Sequence, residues 1–348
     1  MGRRVGLRDV ADRAGVSVTT VSHVLNEAPF ARVNAQTRQR VREAAEALGY
    51  RADQLARGLR TKTTGMIGLL TEEIAATPHA GRIILGAQDT AKKHDLTMAI
   101  INSPLETDAD ERAEDVLTLL DRRVDGIIYA TVYHDVVSPP EELRSGPAAL
   151  IGAQDRYGEI PSIIPDERAG AVMAVQALLD NGHRRIAFVA SQQDVPATRG
   201  RYTGYLSALQ EAKVDIDPKL VATGESEAWG GYTAMNQILD SAPDVTAVFS
   251  YNDRMAMGVY RALADRGLEV PGDVSVIGFD DQDPIATSLF PGLTTIALPH
   301  YDMGVWAVEA LVEQIKGKEP PASWRIPCQV ITRGSVAAMS ETGRSRHV

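Results

Sequence analysis

Ser17, Val18, Thr19, Thr20, Ser22, His23 and Asn26 put four hydroxyls, one imidazole and one carboxamide within ten residues. The chemistry of such a set is recognition. Short polar side chains on one helix can meet the donor and acceptor edges of bases in a major groove. A second set is scattered through the chain: Asp155, Arg199, Asn252 and Asp280, with the indole of Trp229. A guanidinium fork, carboxylates and an amide suit a neutral ligand rich in hydroxyl groups, and an indole supplies a stacking face. Neither set is catalytic. The chain has no Gly-x-Ser-x-Gly elbow, no Gly-x-Gly-x-x-Gly and no phosphate loop, and none of its seven histidines has another at metal-site spacing. Asp280 and Asp281 are adjacent carboxylates, but neighbours at a strand end point in different directions. The chain reads as a non-enzyme with no cofactor and no metal.

The first set must be held by helices. Leu7, Val10, Ala11 and Ala14 fall at helical spacing, and Val21, Val24 and Leu25 do so again after Gly15. Ser17 suits the N-cap of the second helix, and Gly15 supplies the bend before it. This is a helix-turn-helix whose outward positions are Val18, Thr19, Ser22 and His23. A third helix follows, with Asn34 as cap, an apolar stripe at Val41, Ala44, Ala45 and Leu48, and Gly49 as stop. Periodicity alone also fits an ordinary amphipathic helix pair in a small bundle, and charge decides between them. Through residue 62 there are twelve Lys and Arg against six Asp and Glu, a net of +6; the whole chain is −10, so the remainder carries −16. Solubility does not require such a separation of signs, whereas a polyanion partner does.

The spacing Val10-Ala11-x-x-Ala14-Gly15-Val16-Ser17-x-x-Thr20-Val21-Ser22-x-Val24-Leu25-Asn26 is followed by Thr37-Arg38-x-x-Val41, Leu48-Gly49-Tyr50 and Leu55-Ala56-Arg57-x-Leu59-Arg60. It resembles the reading head of the lactose-repressor family of bacterial transcription regulators. Thr19-Thr20-Val21-Ser22-His23 is most similar to the purine-repressor branch, and the likeness runs to about residue 335. The resemblance implies that Val18, Thr19 and His23 read bases and that Ser17, Thr20, Ser22, Asn26 and Arg57 contact phosphate. Many relatives carry Arg where His23 stands, so the bidentate guanine contact gives way to one hydrogen bond or a phosphate contact. The position of His23, one turn along the helix, favours the base.

Residues 54–60 are too few for a stable isolated helix, and Gly58 weakens them further. Yet Leu55, Ala56 and Leu59 form an apolar face that a free linker does not need. By resemblance this hinge folds on the operator, where Leu59, flanked by Ala56 and Arg60, enters the minor groove and selects deformable central steps.

Beyond residue 64 apolar runs alternate with amphipathic helices. Strands are predicted at 66–70, 97–101, 126–130, 148–151, 185–190, 247–250 and 274–279, and helices at 82–94, 110–122, 170–181, 201–212, 231–240 and 255–266. This alternation means doubly wound parallel sheets, and so many strands require two lobes. The resemblance implies a periplasmic-binding-protein-like (type I) α/β body behind an all-α headpiece. The boundaries are a headpiece at 1–53, a hinge at 54–63, an effector-binding and dimerisation body at 64–336, and a disordered tail at 337–348. The first lobe takes 64–164 and 295–325, the second 165–294 and 326–336. Ligands of such sheets sit at strand carboxyl ends, where Asp155, Arg199, Asn252 and Asp280 fall. Asp155 reads equally as a turn cap, and Asp253 as a helix N-cap. The family's aromatic in the loop before 231 aligns nearer Ser226, so Trp229 is either a stacking face or lobe packing.

At 348 residues the chain can bury a large core, and its one cysteine, Cys328, forms no internal disulfide. The start Met-Gly-Arg-Arg is not a secretory signal, and no stretch is long enough to span a membrane. The expectation is a cytoplasmic, nucleoid-associated repressor that binds a palindromic double-stranded operator as a homodimer through body helices including 82–94. A small effector, a carbohydrate, releases it. The alternatives are a corepressor-dependent regulator taking a nucleobase or nucleoside, and a solute-binding protein of the same body fold.

Overall fold

The computed structural model describes residues 5–25, 32–50, 63–72, 81–104 and 107–339. The chain divides into two compact units, Met1–Gly65 and Met66–Val348. In the first, helices α1 (Leu7–Ala14), α2 (Val18–Leu25) and α3 (Ala35–Ala47) close one small core. Val10, Ala11, Ala14, Val21, Val24, Val41, Ala44 and Ala45 are its buried residues, the stripes expected from spacing. Two eight-residue helices do not persist alone in water, so it is this shared core that holds them. Gly15 ends α1 at φ 63°, in the left-handed region that favours glycine. The Asn34 side chain caps α3 by accepting from the Thr37 amide at 2.8 Å.

The second unit contains two six-stranded sheets. Its strands are β1 (Met66–Glu72), β2 (Thr97–Ser103), β3 (Ile127–Val137), β4 (Ala148–Asp155), β5 (Ser162–Pro165), β6 (Ile186–Ser191), β7 (Val221–Gly224), β8 (Ala247–Ser250), β9 (Ser275–Asp280), β10 (Thr294–Ala297), β11 (Trp324–Ile326) and β12 (Gln329–Ile331). The helices between them are α4 (Gly81–Lys93), α5 (Ala109–Asp121), α6 (Glu167–Asp180), α7 (Pro196–Glu211), α8 (Ala228–Ser241), α9 (Asp253–Asp265), α10 (Ile285–Ser288) and α11 (His300–Ile315). The first sheet runs β11-β5-β4-β3-β1-β2 and the second β12-β10-β9-β8-β6-β7. All pairings are parallel except β10 with β12. The winding reverses between β1 and β3 and between β6 and β8. Those two reversals are where a ligand crevice forms at the carboxyl ends.

The chain crosses between lobes after β5, after β10 and between β11 and β12. Residues 295–297, expected in the first lobe, lie in the second, because β10 pairs with β9 and β12 along its length. The Asp166 amide donates to the Ile326 carbonyl at 2.9 Å, tying two crossovers together. Residues 337–339, expected in a disordered tail, are hydrogen bonded into the second lobe. His183 Nε2 reaches the Ala337 carbonyl at 3.0 Å, and the Met339 amide donates to the Asn181 carbonyl at 2.8 Å.

Candidate DNA-reading helix and effector site

In α2 the buried Val21 and Val24 turn the opposite face outward: Val18 and Thr19 are exposed, Ser22 and His23 half-buried. The Thr20 amide donates to Ser17 Oγ at 3.0 Å, the N-cap expected of Ser17. Ser17 Oγ and Thr20 Oγ1 are 2.9 Å apart, so one hydroxyl donates to the other and one hydroxyl hydrogen of the pair remains for a phosphate. With the free N–H groups and partial positive charge of a helix start beside it, this corner suits an anion. Asn26, Ala56, Arg57, Leu59 and Arg60 lie outside the described residues.

In the second lobe, the carboxyl ends of β8 and β9 and the first turn of α6 converge on one guanidinium, that of Arg201 in α7. Arg201 Nε donates to Glu167 Oε2 at 2.7 Å, one terminal nitrogen to the Tyr251 carbonyl at 2.5 Å, and the other to Asp280 Oδ1 at 3.0 Å. Its Cζ lies 3.8 Å from the Phe279 ring centroid and 4.5 Å from that of Tyr251. Arg201 is 4% exposed, Glu167 4% and Asp280 8%, so the ions attract in a medium poorer in water than the surface. Burial pushes the Glu167 carboxyl up, opposed by Arg201. Two facing acids hold the Arg201 guanidinium firmly charged, above its ordinary range, although burial opposes them. Two of its five N–H groups remain to donate to a ligand. Asp280 completes the pair at φ 103°, unusual for a residue with a side chain.

The arginine expected here was Arg199. It lies on the other side of α7, exposed and paired with Asp194 at 2.5 Å. Two residues turn a helix through about 200°, and α7 begins at Pro196, earlier than its apolar pattern indicated. Arg201 lies on the buried face of the helix with Ala197, Gly204, Tyr205 and Ala208 and so points inward. Trp229 is likewise outside the site, 70% exposed on the first turn of α8 and stacked on Tyr232 at 5.3 Å.

Asp155 closes a turn. Its carboxylate accepts two bonds from Arg144 at 3.2 Å and the amides of Tyr157, Glu159 and Ile160. Those contacts hold it below the usual carboxylate range against the effect of burial. This is the cap reading of Asp155, with the carboxylate satisfied from within the lobe. Asn252 takes the cap role expected of Asp253: its Oδ1 accepts from the Met255 amide at 2.7 Å, and its Nδ2 donates to the Ser226 carbonyl at 3.1 Å. It thereby fixes the 225–227 loop beside Ser191, whose hydroxyl meets that of Ser226 at 2.8 Å. Glu167, Arg201, Tyr251 and Gln282 were not singled out from sequence. Tyr251 alone carried a signal, as the residue immediately after β8.

The first lobe contributes a cavity of about 580 Å³ at the carboxyl ends of β1 and β3, with Val195 of the second lobe on its wall. Tyr129 donates to Glu72 inside it, and Arg112 Nε lies 3.1 Å from the same carboxylate. Asp110, Glu141 and Glu142 line the rim. One guanidinium against four carboxylates disfavours an anionic occupant. Among the described residues no group of His, Cys, Asp and Glu is placed to hold a metal ion, and no helix is long and apolar enough to cross a membrane.

Comparison with known proteins places both units. Residues 6–53 match the family described as bacterial regulatory proteins, lacI family, and residues 175–336 match the periplasmic binding protein-like domain. The chain is 35% identical over 317 residues to the HTH-type transcriptional regulator RegA of Clostridium saccharobutylicum, covering 90% of this chain and 93% of that one. The lac repressor dimer bound to operator and the anti-inducer ONPF is similar at TM-score 0.78 and 28% identity, covering 97% of this chain and all of that one. The complex of the transcriptional regulator CelR with cellobiose is similar at TM-score 0.67 and 29% identity, over 96% of this chain and all of that one.

Proposed function

The chain belongs to the lacI family of bacterial regulatory proteins and is a DNA-binding transcriptional regulator, and from that premise we propose a cytoplasmic, dimeric repressor that a carbohydrate releases from a palindromic operator. The observation that carries the effector reading is the buried Arg201–Asp280 pair at the end of β9. A guanidinium already balanced by Glu167 and Asp280 has no net charge to offer an anion, but it retains donors, and its acids retain acceptors, for hydroxyl groups. That favours a sugar over a charged metabolite, and the likeness to a cellobiose-bound regulator supports the same class.

A homodimer is supported by apolar side chains left on the first lobe. Leu85 on α4 is 50% exposed, and Ile100 on the sheet-edge strand β2 is 43% exposed. A two-fold pair presents two reading helices to half-sites about one helical turn apart. Effector and operator then oppose each other by equal factors, as linkage requires. In this reading, rotation of one lobe on the other as the cleft closes changes the spacing that the two hinges require.

Fluorescence anisotropy on an operator selected from random duplexes, titrated with a panel of neutral sugars including cellobiose, tests the whole reading. Release of DNA by a sugar is the expected result. Tightening by a nucleobase instead supports the corepressor alternative, and indifference of the protein to every duplex at low ionic strength rejects both. For the hinge, Leu59→Ala is expected to lower operator affinity by more than about tenfold while nonspecific binding stays nearly unchanged, because a minor-groove wedge acts only on a deformable site. A gel-shift series in which both fall together would remove that role.

A further inference from the structure

We propose that Asp253 is a positioning residue for the effector site: through the Gln282 amide it holds the turn that presents Asp280, and its hold depends on its own proton. The proposal rests on Asp280 being an effector contact. Asp253 itself is fully buried and open to no ligand. Its Oδ2 accepts from the Gln282 amide at 2.7 Å, and its Oδ1 shares a hydrogen bond of 2.6 Å with the Thr295 hydroxyl. Gln282 Nε2 in turn donates to Asp280 Oδ2 at 2.8 Å. One buried residue therefore connects Asp253 to the carboxylate that Arg201 holds from the other side.

The turn needs such a hold. Asp280 at φ 103° and Asp281 at φ 54° are both in the left-handed half of backbone space, which side-chain-bearing residues occupy at a cost. Arg333 braces the middle of the turn through Asp281 at 2.7 Å. Asp253 braces its end. Room for the carboxylate exists because residue 278 is glycine: a Cβ there would lie 2.2 Å from Asp253 Oδ1.

The groups facing Asp253 supply no positive charge of its own. Asp280 and Asp281 approach from the end of β9, and Tyr260 lies on its own helix, α9. Arg201 is divided between Glu167 and Asp280, and Arg333 is paired with Asp281. Among the described residues no cation pairs with Asp253. Burial, reinforced by Asp280, pushes its carboxyl up to about 8. The closed turn therefore keeps the proton up to about pH 8, with the neutral acid's O–H directed at Thr295 Oγ1 and Oδ2 still accepting from the Gln282 amide. In the opened turn Asp253 meets water and ionises near its ordinary value of about 4, so opening becomes easier with each pH unit up to about 8, where the closed turn loses the proton too and the hold stays at its weakest.

Hydrogen exchange over residues 279–284 of the full chain, from pH 6 to pH 9.5 and corrected for intrinsic rate, tests this directly. Wild type is expected to lose up to about tenfold protection per pH unit from pH 6 to about pH 8 and to level off above it, because opening releases the Asp253 proton only while the closed turn still holds it. Asp253→Asn keeps an acceptor for the Gln282 amide but cannot ionise, so its protection stays high and flat. Asp253→Ala and Gly278→Ala, which removes the room for the carboxylate, are expected to exchange fast at every pH. A flat wild-type profile, or an alanine variant as protected as wild type, overturns the proposal. Should the alanine variants fail to fold, the contrast between wild type and Asp253→Asn decides alone. Operator-release titrations with cellobiose and ribose at pH 7 and 9 separate the two readings. Expected exchange with no sugar response leaves the positioning role standing and counts against the effector site, whereas a sugar response with flat exchange does the reverse.

Discussion

Arg201→Ala is expected to destabilise the body by about 3–5 kcal/mol and to abolish the effector response of whatever folded protein remains. Removing one partner of a buried ionic group costs more than the group contributes intact, because the remaining charges have neither water nor a counter-ion. Here two carboxylates, Glu167 and Asp280, are left at 4% and 8% exposure. Only protonation relieves them. Burial, which already pushes the Glu167 carboxyl up, is then unopposed by Arg201, so the penalty is full above its folded value and shrinks as pH falls toward about 4. The deficit relative to wild type, measured by urea denaturation, should therefore be smaller at pH 5 than at pH 8. Arg201→Lys retains the charge but not the planar fork spread between two acids and two rings, and it should fall between the two. A variant of wild-type stability that still releases operator DNA with the wild-type effector would end the role assigned to Arg201. By contrast, Arg199→Ala removes only an exposed pair with Asp194 and should leave both stability and effector response nearly unchanged.

The second large effect concerns the headpiece. Thr19→Ala and His23→Ala are each expected to lower operator affinity by roughly tenfold to a hundredfold, the 1–3 kcal/mol typical of a lost base contact. Both positions are on the face of α2 turned away from Val21 and Val24, so the helix itself should survive the changes. Salt dependence distinguishes base from backbone. A base-reading side chain changes affinity for the selected operator and relaxes preference at one base pair, while the slope of log affinity against log salt stays as in wild type. A loss that is uniform across sequences, with a slope shallower by about one, would reassign His23 to phosphate.

Much of the headpiece was legible because its determinants are local. Ser17 and Asn34 cap their own helices three residues on, Gly15 takes the turn that glycine permits, and the apolar stripes meet in a single small core. Alternation of strands and helices likewise announced two doubly wound sheets, since buried parallel strands are apolar throughout and their crossovers are amphipathic. Shorter strands escaped notice. β5, β7, β10, β11 and β12 span three or four residues each, too few for a period to show, and of the strands this short only β8 was read from its apolar run.

What sequence alone determined, then, was the architecture and the kind of chemistry: a basic reading head, an acidic two-lobed body, and polar groups gathered at strand ends. Which groups meet was decided only in three dimensions. Arg201 and not Arg199 faces the site because it shares the buried face of α7 with Ala197, Gly204, Tyr205 and Ala208, and its partners lie 34 and 79 residues away in the chain. Asp155 and Trp229 carry suitable chemistry but are turned elsewhere, one closing its own loop and the other standing in solvent. Caps and stripes act over one or two helical turns, so spacing reveals them. A buried ion cluster depends on the angle at which distant elements arrive, and no local pattern encodes that angle.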